Sequence, residues 1–266
     1  MPRGADVLLA VLCLPMLGNG PLGGRDFAGI RAGGALRVLA AADENPVWFS
    51  MNPSPKPGFE REILENFARL HKLKLEVVPV TRWDQAIADL LKGRGDVLAG
   101  INATPARQRL IDFTGELLPS LHIVVSRRPH PAIRSLDDLR AQRVGVIPDT
   151  TWAEAVAAAG VPASRVQRLP DVAACIEGLR SARITATVMD VTDYLLQRRK
   201  DAALQDGVAL GSAGSSAWGV RKTDPDLRRE LNLYLENLKR TPTWGRLVIE
   251  YFGDDALRVL GRAHGE

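Results

Sequence analysis

The chain has 266 residues, 45% of them hydrophobic and 25% charged, and carries a formal net charge of +4. That length suits one large domain or two small ones with a real core, and the composition is that of an ordinary soluble protein. The basic runs, Arg127-Arg128 and Arg198-Arg199-Lys200, are short and lack interleaved aromatics, so no nucleic-acid surface is expected.

A basic start at Arg3, an apolar run over 7–17 and a small-residue region beginning at Gly18 form a secretory signal pattern. The run is too short for a bilayer span, which needs roughly 20 residues. The glycine-rich stretch 18–34 reads as a tether, so 1–33 is assigned as a leader and the mature protein as periplasmic. Export removes Cys13 and leaves Cys175, which falls in an apolar helical pattern with Val172, Ile176 and Leu179 and reads as a buried small hydrophobe.

From residue 36 the pattern alternates between strand and helix. An apolar strand over 36–41 is followed by a helix with Phe59, Ile63, Phe67 and Leu70 on one face. A strand over 73–80 leads to a second helix lined by Trp83, Ala86, Ile87, Leu90 and Leu91 and closed at Gly93. A third strand over 97–101 completes a βαβαβ unit, which implies a largely parallel sheet with helices on both faces. Thr104 then fits an N-cap with Pro105 at the first helical position, and a short strand over 111–114 follows. A strand over 121–126 opens a second unit, with strands over 143–148, 166–169 and 184–189 alternating with helices over 151–159, 171–181 and 191–200. A final strand over 217–220 and two amphipathic helices close the chain.

Three points fall at carboxyl ends of strands, where open α/β sheets bind ligands. Arg107, just past the third strand, can grip a carboxylate with two parallel hydrogen bonds; a surface arginine paired with Asp112 is the alternative. Thr151, with Glu154 three residues on, fits a capping box whose free N–H groups favour an anion, or is simply a well-capped loop. Asp190 ends the strand ITATVMD and either binds a cationic group or caps the helix that begins at Val191.

In order, LRVLAA, PGFEREILENFARL, WDQAIADLLKGRGDVLAG, TPARQRLIDFTG, RVGVIPDTTWAEA, TATVMDVTDYLL and WGRLVIEYFGDD resemble the successive motifs of the bacterial extracellular solute-binding proteins of family 3. The resemblance implies a two-lobed periplasmic-binding-protein fold of type II. Each lobe is a mostly parallel sheet flanked by helices, and two crossover strands serve as hinge. Lobe one would comprise 34–119 with 215–266, and lobe two 120–214. It further implies a small zwitterionic ligand, most simply an amino acid, captured by a monomer for an ABC importer or sensor.

By motif, Arg107 would hold the α-carboxylate with the backbone N–H groups of Thr150 and Thr151, and Asp190 would receive the α-ammonium. Asn102, near Thr104, takes the place of a hydroxyl residue, and Trp83 that of a side-chain contact. The first loop, AADENPVWF, lacks the family's tyrosine. Trp48 replaces that ring or packs in the core, and Glu44 faces the ligand, favouring a cationic side chain, or lies on the surface. Asp149 stands where the family has glycine. Two other functions remain open. Cyclohexadienyl dehydratases resemble these receptors and would need a cleft general acid, for which Glu44, Glu60 and His122 are the candidates. The regulatory half of lytic murein transglycosylases also resembles the family, and this chain would be a stand-alone version. No cofactor is expected, and the four histidines (His71, His122, His130, His264) show no paired metal-ligand spacing.

Overall fold

The structure, a computed structural model, describes residues 25–42 and 45–263. The signal pattern before residue 25 and Glu44 lie outside the described residues, as does the side chain of Trp83. The first half runs α1 (Phe27–Gly33), β1 (Ala35–Ala41), α2 (Phe59–Leu70), β2 (Lys74–Val80), α3 (Ala86–Leu91), β3 (Val97–Asn102), α4 (Pro105–Gln108) and β4 (Asp112–Phe113). Then come β5 (Leu118–Arg127), α5 (Leu136–Arg140), β6 (Val144–Val146), α6 (Thr151–Ala158), β7 (Val166–Arg168), α7 (Val172–Arg180), β8 (Ala186–Asp190) and α8 (Val191–Lys200). The chain closes with β9 (Leu204–Val220), α9 (Pro225–Lys239), α10 (Pro242–Phe252) and α11 (Ala256–Ala263).

The strands form one open mixed sheet in the order β2-β1-β3-β9-β5-β8-β6-β7, with β4 also paired to β9. Its outer parts are parallel, β2-β1-β3 on one side and β8-β6-β7 on the other. Between them β5 and β9 run antiparallel to each other and to the parallel strand that each one meets. β9 pairs with β5 between Leu204 and Ser216 and with β3 through Ser216–Gly219, so it crosses from one parallel block to the other. The register between β5 and β9 breaks between Ser120 and His122, where the two blocks meet.

Three sequence expectations are corrected. The glycine-rich tether is, from Phe27 to Gly33, a helix capped by Asp26, whose Oδ1 accepts from the Gly29 N–H at 2.7 Å. Phe27 and Ile30, three positions apart, bury one face of it, and Phe27 packs edge-on to His71 at 5.1 Å. Arg25, just before this helix, pairs with the fully buried Asp96 at 2.8 Å, as does Arg37. The last strand is not four residues but seventeen, because the Gly-Ser-Ala run before Ala217 is held by β5. A third terminal helix, α11, packs against α8, α10, β5 and β9.

The large core takes in α2, α9 and α10 of the first block and reaches α7 and α8 of the second. Cys175 is buried within it, and burial pushes its thiol up.

Candidate functional site

The carboxyl ends of β1, β3, β6 and β8 converge where the two blocks meet, around a cavity of about 330 Å³. Each parallel strand delivers something to it: Asn45 and Trp48 beyond β1, Gly100 and Asn102 on β3, Thr151 and Trp152 beyond β6, and Asp190 on β8. The crossover strands supply the floor, with Ser120 and His122 from β5 and Ser216 from β9.

Asp190 takes the capping role that the sequence offered, and it also lines the cavity. It is the N-cap of α8, with Oδ1 accepting from the Thr192 N–H at 3.0 Å and the Thr192 hydroxyl at 2.8 Å. It also faces the cavity, where Ser120 Oγ donates to Oδ2 at 2.9 Å. Ser120 in turn accepts from Asn102 Nδ2 at 3.4 Å, so a line of hydrogen bonds runs from β3 through β5 to β8. Asp193, one helical turn beyond Asp190, lines the same cavity.

At the end of β6 the cap is Thr150 rather than Thr151, so the Thr151/Glu154 capping box does not form. Thr150 Oγ1 accepts from the Ala153 N–H at 3.3 Å, and Asp149 before it takes φ 58°. Two adjacent threonines made the cap position ambiguous by type, and backbone geometry selects the first. Thr151 becomes the first helical residue. Its hydroxyl lies 3.3 Å from His122 Nε2 across the cavity wall. The N–H groups of that first turn have no acceptor inside the helix and carry the positive end of its dipole.

Arg107 stands further back. Thr104 caps the one-turn α4 by accepting from the Arg107 N–H at 3.3 Å, and the Arg107 guanidinium donates to the Asn102 carbonyl at 3.0 Å. Asp112 pairs instead with Arg228 at 2.8 Å. Arg107, Thr104 and Thr150 are absent from the cavity lining, whereas Asp190, Asn102, Thr151 and Trp48 share it. Arg107 is half-buried, one residue contact behind the wall that Asn102 forms.

Trp48 packs against the core and also lines the cavity. It sits against Phe252 at 5.0 Å and Phe59 at 6.0 Å between ring centroids, and it lines the cavity as well. Gly58, at φ 93°, makes that loop feasible, because a Cβ there would lie 2.8 Å from the Trp48 carbonyl oxygen. Glu60 is buried outside the cavity; its Oε2 accepts from the Trp218 indole at 2.9 Å and the Gly100 N–H at 3.0 Å. Gly100 has φ 70°, and the β3–β9 register shifts between Leu98 and Ile101, so this carboxylate anchors a bulge at the rim.

Sequence reasoning missed Trp152, Ser120, Asp193 and Ser216 as cavity residues. Ser120 and His122 alternate with the buried Leu121 and Ile123, a period-two signal for a polar strand face. Asp193 follows Asp190 at helical spacing. Among the described residues no group of three or more His, Cys, Asp or Glu side chains is placed to hold a metal ion. No described helix is long and apolar enough to cross a membrane.

The family model for bacterial extracellular solute-binding proteins, family 3, matches residues 36–254, and the chain belongs to that family. A membrane-bound lytic murein transglycosylase F of Desulfosudis oleivorans is 29% identical over 229 residues, 84% of this chain and 50% of that protein. The chain thus spans about half the length of the transglycosylases it matches. A Haemophilus influenzae protein named "Probable amino-acid ABC transporter-binding protein" is 27% identical over 79% of this chain and 81% of its own length. Among solved structures, an ancestral cationic amino acid solute binding protein (AncCDT-1) superposes with a TM-score of 0.71 at 26% identity, covering 84% of this chain and 97% of that one. The fold is the type II periplasmic-binding-protein fold, an open α/β sheet flanked by helices.

Proposed function

We propose that this chain is a non-catalytic receptor that captures one small amino acid in the cavity between the strand ends and hands it to an ABC importer or sensor. It works without a cofactor, as an exported, periplasmic monomer. Lobe one then comprises the first block with 215–266, beginning at Arg25, and lobe two comprises 120–214.

The observation that carries this reading is the Asp190 carboxylate. It is held rigid by Ser120 and Thr192 and turned toward a cavity to which both blocks contribute. A carboxylate so fixed suits an ammonium group, since its own position need not be reorganised on binding. Thr150 and Thr151 at the start of α6 offer N–H groups to the α-carboxylate. Arg107 joins them when the lobes close and its guanidinium leaves the Asn102 carbonyl. Asn102 and Trp48 contact the ligand, and Trp83 and Glu44 are assigned to its side chain. Ligand contact with both lobes stabilises the closed form relative to the open one.

The second reading, a sensory module like the half of the transglycosylases that this chain matches, is favoured by that alignment alone. A thermal-shift screen of the full chain against the common amino acids, small carboxylates and murein peptides separates the two. A ligand at 100-fold over its Kd adds about 2.7 kcal/mol. At least one α-amino acid is expected to stabilise the protein, with the effect lost in Arg107→Ala and in Asp190→Ala. Stabilisation by murein peptides alone selects the second reading. Stabilisation by a carboxylate without an amine, unchanged in Asp190→Ala, overturns the ammonium assignment.

A further inference from the structure

The remaining cavities differ in how their charges balance. The one between α8 and α10 holds Arg198 and Arg199 but also Asp254 and Asp255, and the one beside α6 holds Arg168 with Asp149 and Glu154. Another, of about 370 Å³, is lined by Arg127, Arg128 and Arg180, and among the described residues lining it there is no carboxylate. We infer that this cavity is a binding site for a phosphate ester, separate from the one between the blocks and independent of the receptor reading.

Arg127 ends β5, Arg128 follows it, and Arg180 ends α7. The negative end of the helix dipole accounts for Arg180 alone. Asp201 Oδ2 accepts from Arg127 Nε at 3.0 Å and from Arg180 Nε at 3.1 Å. One carboxylate thus fixes two guanidiniums by their inner nitrogens. Their terminal NH2 groups have no acceptor among the described residues. Arg128 gives one terminal nitrogen to the Ala202 carbonyl. Three guanidiniums against one carboxylate leave an excess of two positive charges.

Two terminal guanidinium nitrogens form a fork that matches two oxygens of a phosphate. A phosphomonoester close to a dianion neutralises the excess, whereas a carboxylate supplies only half of the charge needed. The buried Leu179 and Ile184 add apolar wall to the same cavity, where the organic part of an ester packs. A phospholipid headgroup and a soluble phosphate ester share this chemistry. His122 lines the inter-block cavity five residues before Arg127 on the same strand, so the two sites lie about 17 Å apart.

The full chain is titrated calorimetrically with glycerol 3-phosphate and with acetate. It is also sedimented with vesicles of phosphatidylcholine alone and of phosphatidylcholine with phosphatidylglycerol. Each assay is run on wild type, Arg128→Gln, Arg180→Gln and Lys200→Gln; Lys200 is exposed and lies outside the cavity lining. Arg128→Gln leaves both pairs with Asp201 in place, so it tests the site without disturbing that anchor. Glycerol 3-phosphate is expected to bind at one equivalent and at least ten-fold more tightly than acetate. Arg128→Gln and Arg180→Gln each weaken it at least ten-fold, and Lys200→Gln changes it less than three-fold. Binding to phosphatidylglycerol vesicles that the first two variants abolish and Lys200→Gln spares identifies a lipid headgroup as the source. Ester binding without vesicle binding identifies a soluble ester. Equal losses in all three variants, or acetate binding as tightly as the ester, reveal a diffuse charge effect and overturn the site. Absence of saturable binding to both the ester and the vesicles overturns it as well.

Discussion

Asp190 has two jobs, and two substitutions separate them. Asparagine is as good an N-cap as aspartate, so Asp190→Asn keeps the hydrogen bond from the Thr192 N–H and loses only the charge at the α8 N-terminus. That charge contributes about 0.3–1 kcal/mol through the helix dipole, so the unliganded protein should lose less than about 1 kcal/mol. Asp190→Ala also removes the cap, a further loss of about 1 kcal/mol. Together these lower Tm by roughly 3–8 °C for a chain of this size. Ligand binding responds differently. Removing one partner of a buried, hydrogen-bonded charge pair costs about 2–5 kcal/mol, a roughly 30-fold to several-thousand-fold rise in Kd, and both variants should show it. Thermal denaturation without ligand and calorimetric titration with it read the two effects independently. If Asp190→Asn binds the ligand within three-fold of wild type, the carboxylate is only a helix cap and the ammonium assignment is wrong.

Ile30→Ala should cost about 2–5 kcal/mol in urea unfolding, because Ile30 is fully buried on the inner face of α1; no loss would return that segment to a tether. Gly58→Ala forces both a strained φ and a Cβ against the Trp48 carbonyl, so stability should fall by roughly 1–3 kcal/mol and ligand affinity should fall with it. Burial pushes the Asp96 carboxyl up, but hydrogen bonds from the Arg37 side chain and backbone and from Arg25 outweigh it and hold the group below its ordinary 3.8. A pKa depressed by folding contributes stability that is complete above the unfolded value and is lost as pH falls through the folded one. The stability difference between wild type and Asp96→Asn should therefore shrink below about pH 4, as followed by urea midpoints.

Much of the architecture can be read from the chain because its period is carried by large side chains. Phe59, Ile63 and Phe67 mark the buried face of α2, and Cys175, Ile176 and Leu179 that of α7. What escapes is structure held by partners rather than by its own pattern. Residues 207–216 are glycine, serine and alanine with few larger side chains, and they are extended because β5 lies beside them. The helix α1 hides among glycines, although Asp26, Phe27 and Ile30 already spell a cap and an apolar face. At the site, Asp190, Thr151 and Asn102 follow from their positions at strand ends, a rule of topology. Trp152 and Asp193 do not, since each lies inside a helix and reaches the cavity only through the angle at which that helix leaves its strand. Arg107 follows β3 on a one-turn helix as the spacing predicts, yet its guanidinium rests on the carbonyl of Asn102, a choice that no spacing encodes.

Of the five tryptophans, Trp48 and Trp152 line the cavity and Trp218 is fully buried beside Glu60. Indole N–H resonances, followed by two-dimensional NMR during titration with a stabilising amino acid, therefore report directly on where the ligand sits. The signals of Trp48 and Trp152 should shift together and saturate at one equivalent while that of Trp218 stays within a fraction of a linewidth. Saturable shifts that leave both Trp48 and Trp152 untouched would place the ligand elsewhere and contradict the assignment of this cavity.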